Sequence, residues 1–275
     1  MSAADRRDDK ILIAVNGAAG KMGRRILAQI FENPKYVLAA AFERQGHPEL
    51  GKDAGFLAGA RKCGVTLKSL EAADRNVGVI IDFSSPEGST ACLAYAKSAR
   101  KPAVICTTGL AADHEKSMMT ASKKIPIVYA PNMSLGLNVI LHFAEAAARW
   151  LGPDYDVEIV EVHHRQKKDA PSGSARALAD AVRRGRGDKL ADVHGRQGVP
   201  GARDPQELGV LSVRGGDVVG DHTVHFLGAG ERVELTHRAT TRDTFALGAL
   251  RAAEWVISAP PGLYGMHDVL GLPSA

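Results

Sequence analysis

Near its N-terminus the chain reads KILIAV (Lys10–Val15), then Gly17-Ala18-Ala19-Gly20-Lys21-Met22-Gly23, then RRILAQIFE. A short continuous apolar run is typical of a strand buried on both faces of a parallel sheet. The glycine-rich turn lets the backbone approach a pyrophosphate, and the helical pattern behind it supplies free N–H groups and the positive end of a helix dipole. We therefore predict the first β-α unit of a dinucleotide-binding domain.

The same alternation of strand and helix continues as far as residue 134. Further buried strands are predicted at YVLAAAF (Tyr36–Phe42), VGVIIDFS, PAVICTT and IPIVYAPN, and segments of helical composition such as PEGSTACLAYAKSA separate them. Strands that alternate with such helices indicate an α/β fold with a Rossmann-type, doubly wound parallel sheet. FALGALRAAEWVI predicts a final helix of this domain, to which we assign residues 1–134 and 244–275.

Residues 135–243 predict a smaller α+β domain with a mixed or antiparallel sheet. LGLNVILHFAEAAARWL (Leu135–Leu151) has a helical period, YDVEIVEVHH alternates as a half-buried strand, and a helix is expected near Gly173–Arg184. LGVLSVRGG, DHTVHFLGAG and ERVELTHRA are expected to form antiparallel strands, with a hairpin turn from Gly228 to Gly230. The basic run RRGRGDK (Arg183–Lys189) is interpreted as a solvated loop.

Two features bear on the choice of dinucleotide. Glu43 follows the second predicted strand, about 20 residues beyond Gly23, where this class of fold places an acid against the ribose hydroxyls. Arg44 comes next and could hold the 2′-phosphate of NADP, so the pair indicates use of both NADH and NADPH. Two alternatives stay open, a surface ion pair here and a ligand-free tight turn at Gly17 to Gly23, where Ala19 and Met22 interrupt the usual glycine fingerprint.

Two later strand ends carry small or polar residues. Ligands in doubly wound sheets bind outside the carboxyl ends of the strands. We therefore expect contacts to the nicotinamide half of the cofactor from Cys106, Thr107 and Thr108, and from Ala130, Pro131, Asn132 and Met133.

The composition excludes several classes of protein. The 275 residues carry a formal charge of +4, 45% hydrophobic residues and no dense basic stripe, which favours anionic small molecules over nucleic acid. The three cysteines, Cys63, Cys92 and Cys106, form no C-x-x-C pair, so we expect a reducing compartment and neither disulfides nor a zinc site. MSAADRRDDK lacks the apolar segment of a signal peptide, and no membrane span is expected, which predicts a soluble cytoplasmic protein.

The densest cluster of reactive side chains lies between Glu158 and Ala175, in EIVEVHHRQKKDAPSGSA. A helix that begins with hydroxyl side chains can hold a carboxylate, basic residues beside it can hold a second, and a histidine can deliver a proton. This pattern predicts a site for a small dicarboxylate that must be protonated. A metal site at His163 and His164 is disfavoured because no cluster of further ligands accompanies them. Both histidines can reach one substrate only if the strand bends or ends there.

The same segment resembles the signature of the 4-hydroxy-tetrahydrodipicolinate reductases, E-I-V-E-V-H-H-x-x-x-K-x-D-A-P-S-G-S-A. The G-A-A-G-K-M-G turn, F-E-R after the second strand, T-T-G, A-P-N-M-S and V-V-G-D-H-T are similar to that family as well, from about Lys10 to Leu272. Membership would imply NAD(P)H-dependent reduction of 4-hydroxy-tetrahydrodipicolinate in diaminopimelate and L-lysine biosynthesis, by a homotetramer built through the second domain's sheet.

The resemblance also assigns roles to residues. His163 would be the general acid, and Lys167 would assist it. The substrate would contact His164, Ser172, Gly173 and Ser174. The dinucleotide would contact Gly17, Ala18, Ala19, Gly20, Lys21, Met22, Glu43, Arg44, Cys106, Thr107, Thr108, Ala130, Pro131, Asn132 and Met133.

Two residues depart from the family pattern, and two other functions stay open. Ser174 stands where threonine is usual, and Cys106 stands where glycine is common. The alternatives are another Rossmann reductase of a small imino or amino dicarboxylate, and a sensor that binds NADP(H) without catalysis. A sensor would lack the cluster between His163 and Ser174, and a semialdehyde dehydrogenase would need a nucleophilic cysteine beside a histidine.

Overall fold

A computed structural model describes residues 10–72, 76–187 and 189–273 of the chain. The segment on which the signal-peptide prediction rests lies outside the described residues except for Lys10, and so does Asp188 of the basic run. The interpretation of that run as a loop is wrong for Arg183 to Arg186, which form the last turn of a helix. The chain divides into two compact units. The described residues up to Ser134 form the first unit with Asp243–Gly271, and Leu135–Arg242 form the second with the residues from Leu272.

The secondary structure alternates in the first unit and is strand-rich in the second. The strands are β1 (Ile11–Asn16), β2 (Tyr36–Phe42), β3 (Leu67–Lys68), β4 (Val79–Asp82), β5 (Ala103–Ile105), β6 (Pro126–Tyr129), β7 (Asp156–His163), β8 (Ala191–Val193), β9 (Glu207–Arg214), β10 (Gly220–Leu227), β11 (Arg232–Ala239) and β12 (Gly262–Tyr264). The helices are α1 (Lys21–Glu32), α2 (Ala54–Leu57), α3 (Pro86–Ala99), α4 (Ala112–Ser122), α5 (Leu135–Leu151), α6 (Gly173–Arg186), α7 (Asp243–Val256) and α8 (Met266–Leu270).

The first unit contains a seven-stranded parallel sheet in the order β12-β6-β5-β4-β1-β2-β3. All four residues of β4 are buried, which is the two-sided burial that its apolar run predicts. The predicted doubly wound, Rossmann-type fold is confirmed. The sequence patterns missed β3 and β12, which have two and three residues and are too short to show a period. Chain order reverses between β1 and β4, and open sheets bind ligands at such a switch point.

The second unit contains a five-stranded mixed sheet in the order β11-β10-β7-β9-β8. The predicted hairpin of β10 and β11 is confirmed, with Leu227 opposite Arg232. The expectation that all three late strands run antiparallel is wrong for β9, which pairs parallel with β7. Helix α6 lies between β7 and β9 in the chain and makes this possible, because a parallel neighbour needs a crossover connection.

The alternation of β7 decides which side chains of the second unit are buried. Its burial pattern alternates along its whole length, so Val157, Ile159, Glu161 and His163 lie on the buried face. Apolar side chains such as Leu178 of α6 pack with Ile159 in the core of this unit. The last two buried positions of the strand are therefore ionisable, at the edge of an apolar core.

Candidate functional site

The turn between β1 and α1 requires glycine by its geometry. Gly17 has a φ of +76°, and a Cβ there would lie 2.3 Å from the carbonyl oxygen of Phe83. A Cβ on Gly23 would lie 2.1 Å from the carbonyl oxygen of Gly17. Gly20 is the N-cap of α1, and as a glycine it makes no side-chain cap hydrogen bond. The N-cap residue thus offers no side-chain acceptor to the first N–H groups of α1, which fits the phosphate cradle of a dinucleotide.

A cleft of about 640 Å³ lies beside this turn. Five residues of the predicted dinucleotide set line it, namely Gly17, Ala19, Gly20, Glu43 and Arg44. Its wall also contains Phe83, Ser84 and Ser85, which no sequence pattern indicated. Ala18 is buried beneath the turn, whereas Lys21 is exposed and Met22 half-buried in the first turn of α1.

The carboxylate of Glu43 ties the second strand to the turn. Its Oε2 accepts a hydrogen bond from the backbone N–H of Ala19 at 3.3 Å, and its Oε1 accepts one from the N–H of Arg44 at 3.1 Å. Arg44 is exposed and lines the same cleft. An acid and a cation therefore line the same cleft, in the arrangement that could meet ribose hydroxyls and a 2′-phosphate.

A buried carboxylate organises the floor of this region and was missed from the sequence. Asp82, the last residue of β4, is fully buried. Its Oδ1 accepts from Asn16 Nδ2 at 2.7 Å and from Ser84 Oγ at 2.6 Å. Its Oδ2 accepts from Thr107 Oγ1 at 2.8 Å and from Ser89 Oγ. Asp82 thus joins the ends of β1 and β5 to the loop and helix that follow β4.

The two later strand ends hold the remaining predicted cofactor residues. Cys106 is 2% exposed and burial raises the pKa of its thiol well above the usual range, so only its backbone could meet a ligand. Thr107 is buried with its hydroxyl on Asp82. The rest divide by exposure: Thr108 and Pro131 are exposed, Asn132 is half-buried, and Ala130 and Met133 are buried. These residues do not line the cleft beside Gly17.

A Cβ at Gly17 is expected to destabilise the first unit strongly. Gly17→Ala places a methyl group against Phe83 and forces the left-handed backbone on alanine, so we expect a loss of about 3 kcal/mol in the free energy of unfolding. Gly59→Ala is the matched control, because Gly59 has a φ of +74° and nothing within 4 Å of a Cβ. That variant should lose about 1 kcal/mol. Urea unfolding measures both, and equal losses would contradict the close approach at Gly17.

In the second unit, Glu161 and His163 form a buried pair at the end of β7. His163 Nδ1 lies 2.5 Å from Glu161 Oε2, and the two residues are 7% and 0% exposed. Arg214 donates to both oxygens of Glu161 at 2.7 Å. Burial alone would raise the pKa of Glu161, but hydrogen bonds from Arg214, His163 and Ser212 outweigh it and lower that pKa to about 2. Burial lowers the pKa of His163, and Glu161 opposes this effect.

The strand ends at His163, which is the condition for His163 and His164 to serve one substrate. The N–H of His164 donates to Val218 O at 2.8 Å, outside the ladder of β7. A turn follows in which the N–H of Lys167 donates to His164 O at 3.1 Å. His164 and Lys167 are both half-buried, and Lys167 Nζ lies 2.9 Å from Asp169 Oδ1. The predicted acid, its predicted helper and the second histidine are thus within one strand end and turn.

The three predicted substrate residues at the start of α6 differ in exposure. Ser172 is 2% exposed, and its Oγ accepts from the N–H of Ala175 at 3.1 Å as the helix N-cap. The same Oγ is 3.1 Å from His222 Nε2. Gly173 is exposed and Ser174 half-buried. Ser172 therefore builds the helix start, and Gly173 is the exposed first residue of the helix.

His222 is a buried histidine beside Glu161 and His163, and its burial predicts that the protein loses stability in acid. Burial first, and the charge of His163 second, lower the pKa of His222 to about 3. The unfolded chain takes up this proton near pH 6.5, so the free energy of unfolding falls as the pH falls below that value. The loss from His222 alone should reach about 2 kcal/mol near pH 5.

Urea unfolding at neutral pH and near pH 5 measures this effect. His222→Gln should reduce the difference between the two pH values by roughly 2 kcal/mol. His267→Gln is the control, since the His267 side chain is 69% exposed, and it should leave the difference unchanged. An unaltered acid sensitivity in His222→Gln would contradict the assignment of that histidine as neutral and buried.

The described residues contain neither a cluster of metal ligands nor a helix that could span a membrane. Within residues 10–72, 76–187 and 189–273, no three His, Cys, Asp or Glu side chains are grouped so as to hold a metal ion. No helix in the part of the chain that the structure describes has both the length and the apolar character needed to cross a membrane.

Comparison with known proteins places these sites in one family of sequences. Residues 11–133 match the family model described as dihydrodipicolinate reductase, N-terminus, and residues 136–270 match its C-terminus. The chain is 48% identical to the 4-hydroxy-tetrahydrodipicolinate reductase of Geotalea uraniireducens, over 95% of this chain and 99% of that protein. It is 47% identical to the same-named protein of Anaeromyxobacter dehalogenans, over 94% and 97%. Dipicolinate-bound dihydrodipicolinate reductase from Paenisporosarcina sp. TG-14 shares the fold, with a TM-score of 0.74 at 24% identity over 94% and 99%.

Proposed function

Since this chain belongs to the dihydrodipicolinate reductase family, we propose that His163 is the proton donor of the reaction it catalyses. That reaction is the reduction of 4-hydroxy-tetrahydrodipicolinate, via dihydrodipicolinate, to tetrahydrodipicolinate in diaminopimelate and L-lysine biosynthesis. The enzyme is an oxidoreductase that uses NADH or NADPH. This function rests on the 48% identity to the Geotalea uraniireducens reductase over 95% of this chain. It replaces the two alternatives, another Rossmann reductase and a non-catalytic sensor.

The first unit is proposed to hold the dinucleotide. The backbone of Gly17 to Met22 would bind the pyrophosphate, because the turn leaves no room for a Cβ at Gly17 and the N-cap of α1 is a glycine. The ends of β5 and β6, from Cys106 to Thr108 and from Ala130 to Met133, would contact the nicotinamide half. When bound, the nicotinamide supplies the hydride for the reduction.

The second unit is proposed to bind and protonate the substrate. Gly173, which is exposed at the start of α6, would offer its N–H to one carboxylate with Ser174 beside it, and His164 would contact the same molecule. His163 donates the proton that completes the reduction, from an imidazolium that Glu161 stabilises. Lys167 stabilises the negative charge that develops before protonation. Ser172 supports this arrangement as the N-cap, although its hydroxyl is already committed.

We propose dual use of NADH and NADPH through Glu43 and Arg44. Arg44→Ala removes the cation that would meet the 2′-phosphate, so KM for NADPH should rise about 10- to 100-fold, the size of a charge-assisted hydrogen bond. KM for NADH should change little. Initial rates with each cofactor measure this. Arg61→Ala, an exposed arginine of the same unit outside the cleft, should leave both values unchanged. Equal effects on NADH and NADPH would contradict the role of Arg44.

Assembly and location complete the proposal. A homotetramer built through the sheet of the second unit is supported by exposed apolar side chains on its strands, Val213 at 47%, Leu227 at 36% and Val233 at 37%. Light scattering on the purified protein should give the mass of four chains.

A reducing, cytoplasmic location is supported by the three free cysteines, two of them buried.

Genetic complementation tests the function as a whole. A bacterial strain without its own reductase of this pathway needs supplied diaminopimelate to build its cell wall. Expression of this chain should restore growth without the supplement, and expression of the His163→Ala variant should not. Failure of the wild-type chain to restore growth, with the protein present in the cells, would overturn the assignment.

A further inference from the structure

We propose that Glu161, clamped by Arg214, is a positioning residue that keeps a proton on Nδ1 of His163 and thereby makes Nε2 the atom that delivers the catalytic proton. This inference rests on the proposed function of His163 as the acid. It gives a role to Glu161 on β7 and Arg214 on β9, for which the sequence pattern predicted none.

The contacts of Glu161 engage both of its oxygens. Oε2 contacts His163 Nδ1 at 2.5 Å and accepts from Arg214 Nη1 at 2.7 Å. Oε1 accepts from Arg214 Nη2 at 2.7 Å, from Ser212 Oγ at 2.8 Å and from the N–H of Ser172 at 3.0 Å. A guanidinium that meets a carboxylate in this two-bond geometry fixes its plane as well as its charge. The position of Oε2 relative to His163 is therefore fixed from three sides.

The charge of Glu161 determines which nitrogen of His163 is protonated. Although burial favours its neutral form, the hydrogen bonds from Arg214 and His163 lower the pKa of Glu161 to about 2, so it is ionised at neutral pH. An ionised carboxylate can only accept hydrogen bonds. The contact at 2.5 Å thus requires a proton on Nδ1 of His163, both in the imidazole and in the imidazolium. Only the proton on Nε2 can then be given away.

The other groups around His163 work against its protonation. Burial lowers the pKa of His163 most, and the cations Lys167 and Arg214 lower it further. His222 lies edge-on with ring centroids 5.1 Å apart and stays neutral because of its own burial. Glu161 is the group that raises the pKa of His163. The carboxylate therefore both orients the imidazole and maintains its acid form.

The opposite side of the ring is left clear by a glycine. A Cβ on Gly220 of β10 would lie 2.9 Å from Nε2 of His163, closer than real Cβ atoms approach. With Nδ1 held by Glu161 and the space beside Nε2 kept free by Gly220, the ring presents one exchangeable proton.

Glu161→Gln tests this arrangement because its outcome follows from the donors around the carboxylate. Apart from Nδ1 of His163, three donors converge on Oε1 and one, Nη1 of Arg214, on Oε2. The amide oxygen should take the first position, and the amide nitrogen should then face Nδ1 of His163 and donate to it. Neutral His163 would be forced to carry its proton on Nε2. The hydrogen bond from the N–H of Ser172 survives, so the start of α6 keeps its place.

The experiment combines nitrogen-15 NMR of labelled histidines with pH profiles of kcat and KM. In the wild type, Nδ1 of His163 should stay protonated across the titration while Nε2 titrates. In Glu161→Gln, neutral His163 should carry its proton on Nε2, kcat should fall about 10²- to 10³-fold, and KM should stay within about threefold. The pH at which activity is lost for want of the acid form should move downward. Glu158→Gln is the matched control, since Glu158 lies on the same strand and pairs with Arg196 and Arg203, and it should reproduce the wild-type tautomer and profile.

Two results would overturn the inference. One is a wild-type spectrum in which neutral His163 carries its proton on Nε2, a measurement that does not depend on any variant folding. The other is a Glu161→Gln enzyme with wild-type kcat and an unmoved pH profile. If His163→Ala keeps full turnover instead, the acid assignment under the proposed function fails, and the tautomer measured in the wild type still decides what Glu161 does.

Discussion

Replacing His163 by alanine should lower kcat by about 10²- to 10⁴-fold, the usual contribution of a positioned general acid. The dissociation constant for NADPH should stay within about twofold, because His163 lies in the second unit and the proposed dinucleotide residues lie in the first. Rates with saturating cofactor, together with fluorescence titration of NADPH, measure the two quantities separately.

The control for this variant is His225→Ala. His225 lies on β10 and pairs with Glu234 rather than with the cluster around His163. Its removal should leave kcat within about twofold of the wild type. If His163→Ala weakened cofactor binding and spared kcat, the assignment of the acid would be wrong.

Removing the Asp82 carboxylate should have the largest effect on stability. Asp82→Ala leaves Asn16, Thr107, Ser84 and Ser89 without their common acceptor in a fully buried position. Each buried donor left unpaired costs about 1–3 kcal/mol, and since some will find water we expect a total loss of roughly 4 kcal/mol. Cofactor affinity should fall as well, because Ser84 lines the cleft beside Gly17.

The matched variant is Ser89→Ala, which removes one donor and keeps the carboxylate. It should cost about 1 kcal/mol and leave cofactor affinity unchanged, since Ser89 does not line that cleft. Urea unfolding and NADPH titration compare the two. Equal destabilisation by Asp82→Ala and Ser89→Ala would contradict the role of Asp82 as the common acceptor of the four donors.

The fold could be predicted from the sequence where the local residue pattern matches the environment of the element in the folded protein. The apolar run of β1 and the glycines after it predicted the first β-α unit because two-sided burial and a turn without Cβ atoms each leave a local mark. The parallel pairing of β9 with β7 left no such mark, since pairing direction depends on which neighbour the sheet selects.

The part of the candidate site that lies in one short segment could also be predicted from the sequence. A helix start with hydroxyl side chains and two histidines beside it lie in one short segment, so their chemistry can be inferred from composition. The partner of Glu161 lies 53 residues away at Arg214, on a strand whose neighbour the sequence does not reveal. Similarly, the hydroxyl of Ser172 meets His222 at a separation of 50 residues. Its use as a buried cap depends on packing that the segment itself does not encode.

The most direct test of the account follows nicotinamide absorbance with purified protein. The substrate is generated in the cuvette from pyruvate and aspartate semialdehyde by the preceding synthase, with NADH or NADPH as reductant. We predict rapid oxidation of the cofactor by the wild type and a rate lower by about 10²- to 10⁴-fold for His163→Ala. No oxidation by the wild type, with an active synthase and demonstrated cofactor binding, would contradict the reductase assignment.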